Sequence, residues 1–597
     1  ENCPAGAVKL GQKLCTKDGF IEYPRQELPD EVKWGPEKWA IDYRDKNRVN
    51  CHDTGTAPCK TACPAHIAVQ GYLKLAAQGK YREALQLIKR ENPFPAVCGR
   101  ICNRRCEDAC TRGTVDQAVA IDEVKRFIAQ QDLDAATRFV PEKVIPKVDG
   151  EFGEKIAVIG AGPAGMSCAF YLAEKGYRPT VFEKEERPGG MLMNGIPSFR
   201  LEKDVVQAEI DILREMGVEF RCGVEVGKDI TIAQLREEGY QGFYVAVGLQ
   251  SGGRLNIPGG EAQGVQAGID FMRQVNGGQC GKLSGRVVVI GGGNIGADVA
   301  RTALRCGADS VDLYCLEGYE DMPMGEEDRG ECEREGITIH AGWGQTEIVE
   351  RDGKCAGIRF RKCLSVKNAE GRFDPKFDDA VTEETACDMV LYCIGQKVEW
   401  KELLTGTKVE FNPNGTVKAD PVTYQTAEPD IFVGGDAYTG QKFAIDAIAA
   451  GKQGAVSLHR WVQHATLTIG RDRRQFIELD KENALIAIDS YDNTPRQQIG
   501  YNEALRKTFR DERVAFTEEQ VKKETARCLG CGASIVDPNK CIGCGICTTK
   551  CAFDAIHLHR ERPECSTMYK CEDKMKAILP YMIKRNFKIK RAARKSK

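Results

Sequence analysis

Apolar residues at Ile67, Tyr72, Leu75, Ala84, Leu85 and Ile88 recur at helical spacing, which predicts two short amphipathic helices early in the chain. Further on the pattern changes. Residues 156–159 form a short unbroken apolar run, the mark of a parallel strand buried on both faces. A glycine-rich turn follows, then a helical stretch over 166–175 and a second strand over 179–182 that ends at Glu183. The order returns with RVVVI at 286–290, a helix over 297–306 and a strand over 311–315. YVAVG (244–248), LYCIG (391–395) and DIFVGGD (430–436) read as further strand ends, and 443–458 as a long helix. Strands alternating with helices predict an α/β protein with parallel sheets. No run of about 18 apolar residues occurs, so no membrane-spanning helix is expected.

The turns carry the chemistry. KIAVIGAGPAG (155–165) places Gly160, Gly162 and Gly165 in G-x-G-x-x-G spacing, with Pro163 and Ala164 between them. RVVVIGGGNIG (286–296) does the same with Gly291, Gly293 and Gly296, around Asn294 and Ile295. Such glycines let the backbone approach a pyrophosphate, the following helix N-terminus stabilises its charge, and an acid after the second strand accepts from ribose hydroxyls. Glu183 and Glu317 stand at those acid positions. Two fingerprints imply two nucleotides. DIFVGGD resembles the late motif of flavoproteins with two dinucleotide domains, which implies that Gly435 and Asp436 lie at the flavin's ribityl–phosphate region. YVAVG and LYCIG resemble the strands that cross between those domains, ending at Gly248 and Gly395. The expected layout is an FAD domain over 150–280 and 395–465, with a nicotinamide domain over 281–394 inserted into it.

Composition adds one exclusion and one lead. Lys plus Arg is 85 against 87 Asp plus Glu, so no charge excess points to nucleic acid or a membrane surface. No secretory signal is visible, which points to the cytoplasm. The lead is cysteine. There are 27, nine before residue 111, eight after residue 527 and ten between. The middle ten never adopt C-x-x-C spacing and read as small buried hydrophobes, so no dithiol sits by the flavin and a disulfide reductase is not expected. Clusters at both ends of a reducing-compartment chain indicate metal.

CIGCGICTTKC (541–551) has ferredoxin spacing, with Cys541, Cys544 and Cys547 wrapping one iron–sulfur cluster and Cys551 free for a second. Zinc is the alternative. Cys528 and Cys531 of CLGC, with Cys565 and Cys571, would make a second cluster arithmetically possible. Toward the N-terminus lie Cys51, Cys59 and Cys63, then Cys98, Cys102, Cys106 and Cys110 in CGRICNRRCEDAC, where Gly99 and the charges argue for a loop. Seven cysteines bridged by helices suggest two 4Fe-4S clusters in a small helical domain. Residues 584–597 carry eight basic side chains and read as a solvated, disordered tail.

The order of cysteine domain, GAGPAG, GGMLMNGIPSFRL, GGGNIG and VGGDA resembles the glutamate synthase small-subunit family. The same arrangement is similar to dihydropyrimidine dehydrogenase and to the large subunit of electron-bifurcating NADH-dependent ferredoxin:NADP oxidoreductase. The likeness covers about residues 48–465; the extra ferredoxin domain resembles fused anaerobic versions. It implies an α/β fold with two nested Rossmann-like dinucleotide-binding domains, an N-terminal helical iron–sulfur domain (48–145) and a C-terminal α+β ferredoxin-like domain (526–580). A linker (466–525) and a basic tail (581–597) complete the chain, and 1–47 is an extension without a reading. The resemblance places Gly190, Met191, Gly195, Ile196 and Pro197 beside the flavin.

Two departures matter. The family's first cysteine motif is C-x2-C-x4-C-x3-C, and Thr54 stands at its second position. The resemblance implies one cluster on Cys51, Cys59 and Cys110 and another on Cys63, Cys102 and Cys106, completed by a non-cysteine side chain such as Glu123. The first cluster's fourth ligand is then Cys98 or His52, or is lacking, with Cys98 preferred. Phosphate-form users in the family show paired arginines where this chain has YCLE (314–317). Glu317 repels a 2′-phosphate and favours NAD(H) over NADP(H), unless Arg329 or Arg351 reaches the site. The implied activity is electron transfer between NAD(P)H and iron–sulfur carriers through FAD, in a hetero-oligomeric complex with other redox subunits and ferredoxin as a possible partner. The resemblance allows electron bifurcation there. The alternatives are an electron-donating subunit of a glutamate-synthase-type enzyme and a non-catalytic wiring subunit. No Ser–His–Asp set or carboxylate pair names a catalytic residue.

Overall fold

The computed structural model describes residues 8–10, 15–16, 19–20, 56–142, 152–469, 471, 484–485, 491–531, 534–536, 542–550 and 570–595. Two compact units form. The larger holds residues 10–34 and 50–535; the smaller holds 1–9, 35–49 and 536–597.

In the larger unit the helical part comes first. Helices α1 (Val69–Ala77) and α2 (Tyr81–Lys89) bury Tyr72, Ala84, Leu85 and Ile88, as the spacing predicts, while Leu73 rather than Leu75 is the fully buried leucine of α1. Helix α3 (Pro95–Ile101) follows, then a turn of helix at Arg105–Asp108 and helix α4 (Ile121–Ala129). The stretch from Cys98 is therefore helical only as far as Ile101; Cys102–Arg104 is a loop, as expected, before the short turn at Arg105–Asp108. Gly99 is the reason the helical part fits here: a Cβ there would lie 2.8 Å from the Arg126 Cα, so the glycine lets α3 and α4 touch backbone to backbone.

The first sheet is built on β1 (Lys155–Ile159), followed by α5 (Pro163–Glu174), β2 (Thr180–Glu183), α6 (Lys203–Glu215), β3 (Glu219–Cys222) and β4 (Tyr240–Val245). The second uses β5 (Val265–Ala267), β6 (Arg286–Ile290), α7 (Asn294–Arg305), β7 (Ser310–Cys315), α8 (Glu326–Glu335) and β8 (Thr338–Ala341). A three-stranded antiparallel sheet of β9 (Trp343–Arg351), β10 (Lys354–Lys367) and β11 (Phe373–Thr385) is appended, before β12 (Met389–Tyr392) rejoins the second sheet. The chain then returns through β13 (Ile431–Val433) to the first sheet and ends it with α9 (Ala444–Val462).

Strand orders are β13-β4-β1-β2-β3 and β8-β7-β6-β12-β5. All ladders in both sheets are parallel, with Ile159 opposite Phe182 and Val245, and Ile290 opposite Tyr314 and Tyr392. Return of the chain to β4 through β13 is what nests one domain in the other. The nicotinamide-type domain starts earlier than residue 281, because β5 pairs with β12 and the helix Gly268–Asn276 packs on that sheet. The crossing is a two-stranded ladder of Ser251–Gly252 with Gln396–Lys397.

The expected linker folds in part. Residues 491–531 run over the helical domain and include α10 (Glu518–Ala526), opened by a capping box between Thr517 and Gln520. In the smaller unit, Ile546–Lys550 and α11 (Lys574–Lys595) are helical. The basic tail is thus helix through Lys595, not disordered, with Tyr581, Phe587 and Ile589 exposed on it.

Candidate functional site

One cleft of about 1010 Å³ runs between the carboxyl ends of both sheets. That is the place where open parallel sheets bind ligands, and the volume reaches the top of the range for a single small-molecule pocket. Of the nucleotide-site residues read from sequence, all line it except Gly165, Pro197 and Gly296. Those three act from behind. A Cβ on Gly165 would lie 1.9 Å from the Gly160 carbonyl oxygen, and one on Gly296 would lie 2.1 Å from that of Gly291. Each keeps its helix against the turn that precedes it. The Pro197 carbonyl accepts from the amides of Arg200 and Leu201 and closes the 195–201 turn. Gly162 and Gly293, by contrast, have no protein atom within 4 Å of a built Cβ, so each leaves open space at a helix N-terminus. This is a cradle shaped for a dinucleotide phosphate on each side.

Glu183 is buried at the end of β2, and its carboxylate accepts from the amides of Ala161 (2.7 Å) and Glu185 (3.0 Å). It therefore both fixes the glycine turn and faces the cleft. Burial pushes its carboxyl above the usual range. Asp436 follows Gly435, whose φ of 65° requires glycine. Burial pushes Asp436 up to about 6, against the Lys442 amide that donates to it. Ala164 and α9 cross closely here: a Cβ on Gly451 would lie 2.2 Å from the Ala164 oxygen. Glu317 lines the opposite end, while neither Arg329 nor Arg351 is among the lining residues described.

GIPSFRL does more than border the cleft. Arg200 crosses to the second domain, pairing with Asp298 at 2.7 Å and with Asp328. Phe199 lies under the guanidinium groups of Arg301 and Arg305 at 4.7 and 3.9 Å. Lys203 donates to the carbonyls of Leu192 and Ile196, and burial lowers it to about 7. Sequence reasoning marked the heptapeptide but not these anchoring roles.

Arg200→Ala is expected to cost roughly 3 kcal/mol, the lower end for breaking a buried ion pair, because Asp298 and Asp328 lose their counter-ion. Thermal unfolding checks it. Asp298 has a folded pKa of about 6, raised chiefly by burial, so the unfolded chain binds fewer protons between the ordinary carboxylate value and 6. The Asp298 contribution to stability falls as pH rises through that window. The variant's deficit should therefore shrink at acid pH; a deficit independent of pH would refute the assignment.

The cysteines form two groups in the helical domain. Cys63, Cys98, Cys102 and Cys106 all feel the charge of the buried ammonium of Lys125, which also pairs with Asp122. Burial raises each of these thiols, and Lys125 lowers each. Cys98 thus stands with the second set, not the first. Glu123 points elsewhere: it pairs with Arg104 at 3.6 Å, while its neighbour Asp122 is the acid that acts on Cys102 and Cys106. Ile101, beside Cys102, lines the cleft, and Arg105 pairs with Asp446 at the start of α9 (3.1 Å).

The other group is Cys59, Cys110, Cys528 and Cys531, which line one small apolar void. Burial raises Cys59, and the charges of Cys528, Cys110 and Cys531 raise it further; Cys531 is pushed up to about 12, mainly by burial. Cys528 and Cys531 are therefore placed with the helical domain, not with the ferredoxin motif. The signal that could have shown this is the T-x-x-Q box at 517–520, which starts a helix inside the supposed linker. Among the described residues no three ligand side chains converge as tightly as a single bare ion needs. A four-iron cluster spaces its thiolates more widely than one ion does. Cys544 and Cys547 lie in the smaller unit; Cys51, Cys541, Cys551 and Cys565 lie outside the described residues.

Comparison with known proteins agrees with this geometry. Residues 42–137 match dihydropyrimidine dehydrogenase domain II, 4Fe-4S cluster, and residues 534–557 match a 4Fe-4S binding domain. The beta subunit of NADP(+)-dependent formate dehydrogenase from Moorella thermoacetica is 33% identical over 504 residues, covering 80% of this chain and 70% of that one. The glutamate synthase (NADPH) small chain of Escherichia coli is 31% identical, covering 69% of this chain and 90% of its own. Among solved structures, FprA from Mycobacterium tuberculosis aligns over 52% of this chain and 85% of its own at 19% identity and a TM-score of 0.46. The cofactors are FAD, a nicotinamide dinucleotide and 4Fe-4S clusters, and among the described residues Cys393 alone of the cysteines lines the cleft, so no dithiol faces the nucleotides. With residues 154–453 matched, the chain belongs to the pyridine nucleotide-disulphide oxidoreductase family.

Proposed function

We propose that this chain is the nicotinamide-using subunit of a hetero-oligomeric redox complex, passing electrons between NAD(P)H and iron–sulfur carriers. The observation that carries the reading is contiguity: one cleft joins both glycine cradles, and the Cys102 segment forms part of its wall through Ile101. When bound, FAD supplies the change from two-electron to one-electron transfer. The chain supplies position. The glycine turns and helix N-termini hold the two pyrophosphates, Glu183 and Glu317 hold the riboses, and Arg200 ties the two domains at a fixed separation. The FAD half is the first sheet with α9; the nicotinamide half is the inserted sheet.

The partners are other redox subunits. Ferredoxin fits as an exchange partner because the smaller unit bears its own cluster motif. The formate dehydrogenase and glutamate synthase relatives are both named as subunits, and the additional 4Fe-4S match at 534–557 favours the first kind of complex over a biosynthetic donor. No described helix is long and apolar enough to cross a membrane. The test is anaerobic reduction of a viologen or tetrazolium dye by the purified chain. Turnover with NADH or NADPH is expected; none with either leaves only a wiring role.

A further inference from the structure

The first cysteine motif of the resembled family runs C-x2-C-x4-C-x3-C, and Thr54 interrupts it here. Its second half survives as Cys59 and Cys63. A C-x2-C pair stands at the other end of the larger unit, at the end of α10, and the fold brings it to the same place.

The contact is built rather than incidental. Arg527 is fully buried, and its guanidinium donates to the carbonyls of Gln117 (2.6 Å) and Ala118 (3.2 Å) and to Asp116 (3.0 Å). Arg112 returns a bond to the Arg527 carbonyl at 3.0 Å. Glu524, also buried, accepts from the Ala120 amide at 2.8 Å. Gln70 of α1 donates to the Cys531 carbonyl. Between the two cysteines Gly530 takes a φ of 66°, the left-handed turn that sets Cys528 and Cys531 facing one void. Cys59 and Cys110 complete the ring, and Pro58, Leu73, Val119 and Ile121 close it off. Four thiols around an apolar void with a tight C-x2-C turn match what a 4Fe-4S cluster takes.

We propose that Cys59, Cys110, Cys528 and Cys531 ligate one 4Fe-4S cluster, so that the missing half of the N-terminal motif is delivered by the segment after α10 and neither Cys51 nor position 54 is a ligand. The ten-residue spacing from Cys531 to Cys541 then joins two different sites, and the six cysteines from Cys541 onward serve one cluster. The chain holds three clusters, about twelve irons. This assignment is independent of the nucleotide reading: the iron count can fail while nicotinamide turnover holds, and the reverse.

The test uses the full chain, reconstituted anaerobically, with iron per chain and EPR of the dithionite-reduced protein as readouts and FAD per chain as the folding control. Cys51→Ser should leave iron and EPR unchanged. Cys59→Ser and Cys528→Ser should each lose about four irons and the same EPR component. The double variant should lose no more than either single one, since both residues serve one cluster. Additive loss of about eight irons would overturn the proposal, as would loss in Cys51→Ser. Should Cys528→Ser also lose FAD, Cys528→Asp decides, because it keeps a ligand atom. An altered signal from one cluster supports the site, and unchanged signals overturn it.

Discussion

A Gly296→Val variant is expected to bind FAD at the wild-type ratio and yet show no bleaching of the flavin by NADH or NADPH, while Gly165→Val is expected to purify without flavin. Both follow from one contact type made twice. The valine Cβ would sit about where the Gly291 or Gly160 carbonyl already is, at 2.1 and 1.9 Å respectively. Those neighbours are backbone, so they cannot rotate away as a side chain would. Each helix must lift off its turn, and the amides at its N-terminus leave the position a pyrophosphate needs. Overpacking a tight contact costs roughly 1–3 kcal/mol, occasionally more. That weakens a domain of this size locally, and the phosphate cradle stands at the point of strain. Flavin absorbance per chain and anaerobic stopped-flow reduction separate the two losses. If Gly296→Val lost flavin, or Gly165→Val kept it, the assignment of FAD to the first sheet would be reversed.

The second large effect concerns Glu317. Its backbone is held just past the end of β7, where the Gly342 amide donates to its carbonyl at 2.8 Å, and the residue lines the cleft. A carboxylate there accepts from ribose hydroxyls and repels a 2′-phosphate. The wild-type chain should therefore use NADH in preference to NADPH. Removing the acceptor in Glu317→Ala loses hydrogen bonds to a charged group, worth roughly 1.5–3 kcal/mol each, so kcat/KM for NADH should fall about ten- to hundredfold. The value for NADPH should rise as the repulsion is relieved. The formate dehydrogenase relative is named for NADP(+), which makes the comparison informative. A wild-type preference for NADPH, or a ratio unmoved by the substitution, would sink the reading of Glu317.

Much of the centre of the molecule was legible in the sequence because its signals are local. A parallel strand buried on both faces must be an unbroken apolar run, and a turn that lets a phosphate touch backbone must be glycine. Those demands fall on neighbouring residues, so β1, α5, β6 and α7 stand where the pattern puts them to within a few positions. The edge of the second sheet was less legible. Val265–Ala267 is too short to announce which sheet it joins, and only pairing with β12 decides. The helix at Pro95–Ile101 was misread for a related reason. Gly99 lowers helix propensity locally, and its advantage, the close approach of Arg126, exists only once α4 packs.

By itself the sequence determined that there are two glycine-rich dinucleotide turns and a cluster of cysteines toward each end of the chain, because those signals are local spacings. That one dinucleotide domain nests within the other was implied only by resemblance until the pairing of β13 with β4 returned the chain to the first sheet. Only the tertiary structure decided how the cysteines divide: Cys98 toward Lys125, and Cys528 and Cys531 toward Cys59 and Cys110. Thiols carry no record of their partners in their own spacing. What selects the partner is the buried network of Arg527, Glu524 and Arg112 that seats one segment on another, and charges so buried hold only where every one of them is paired.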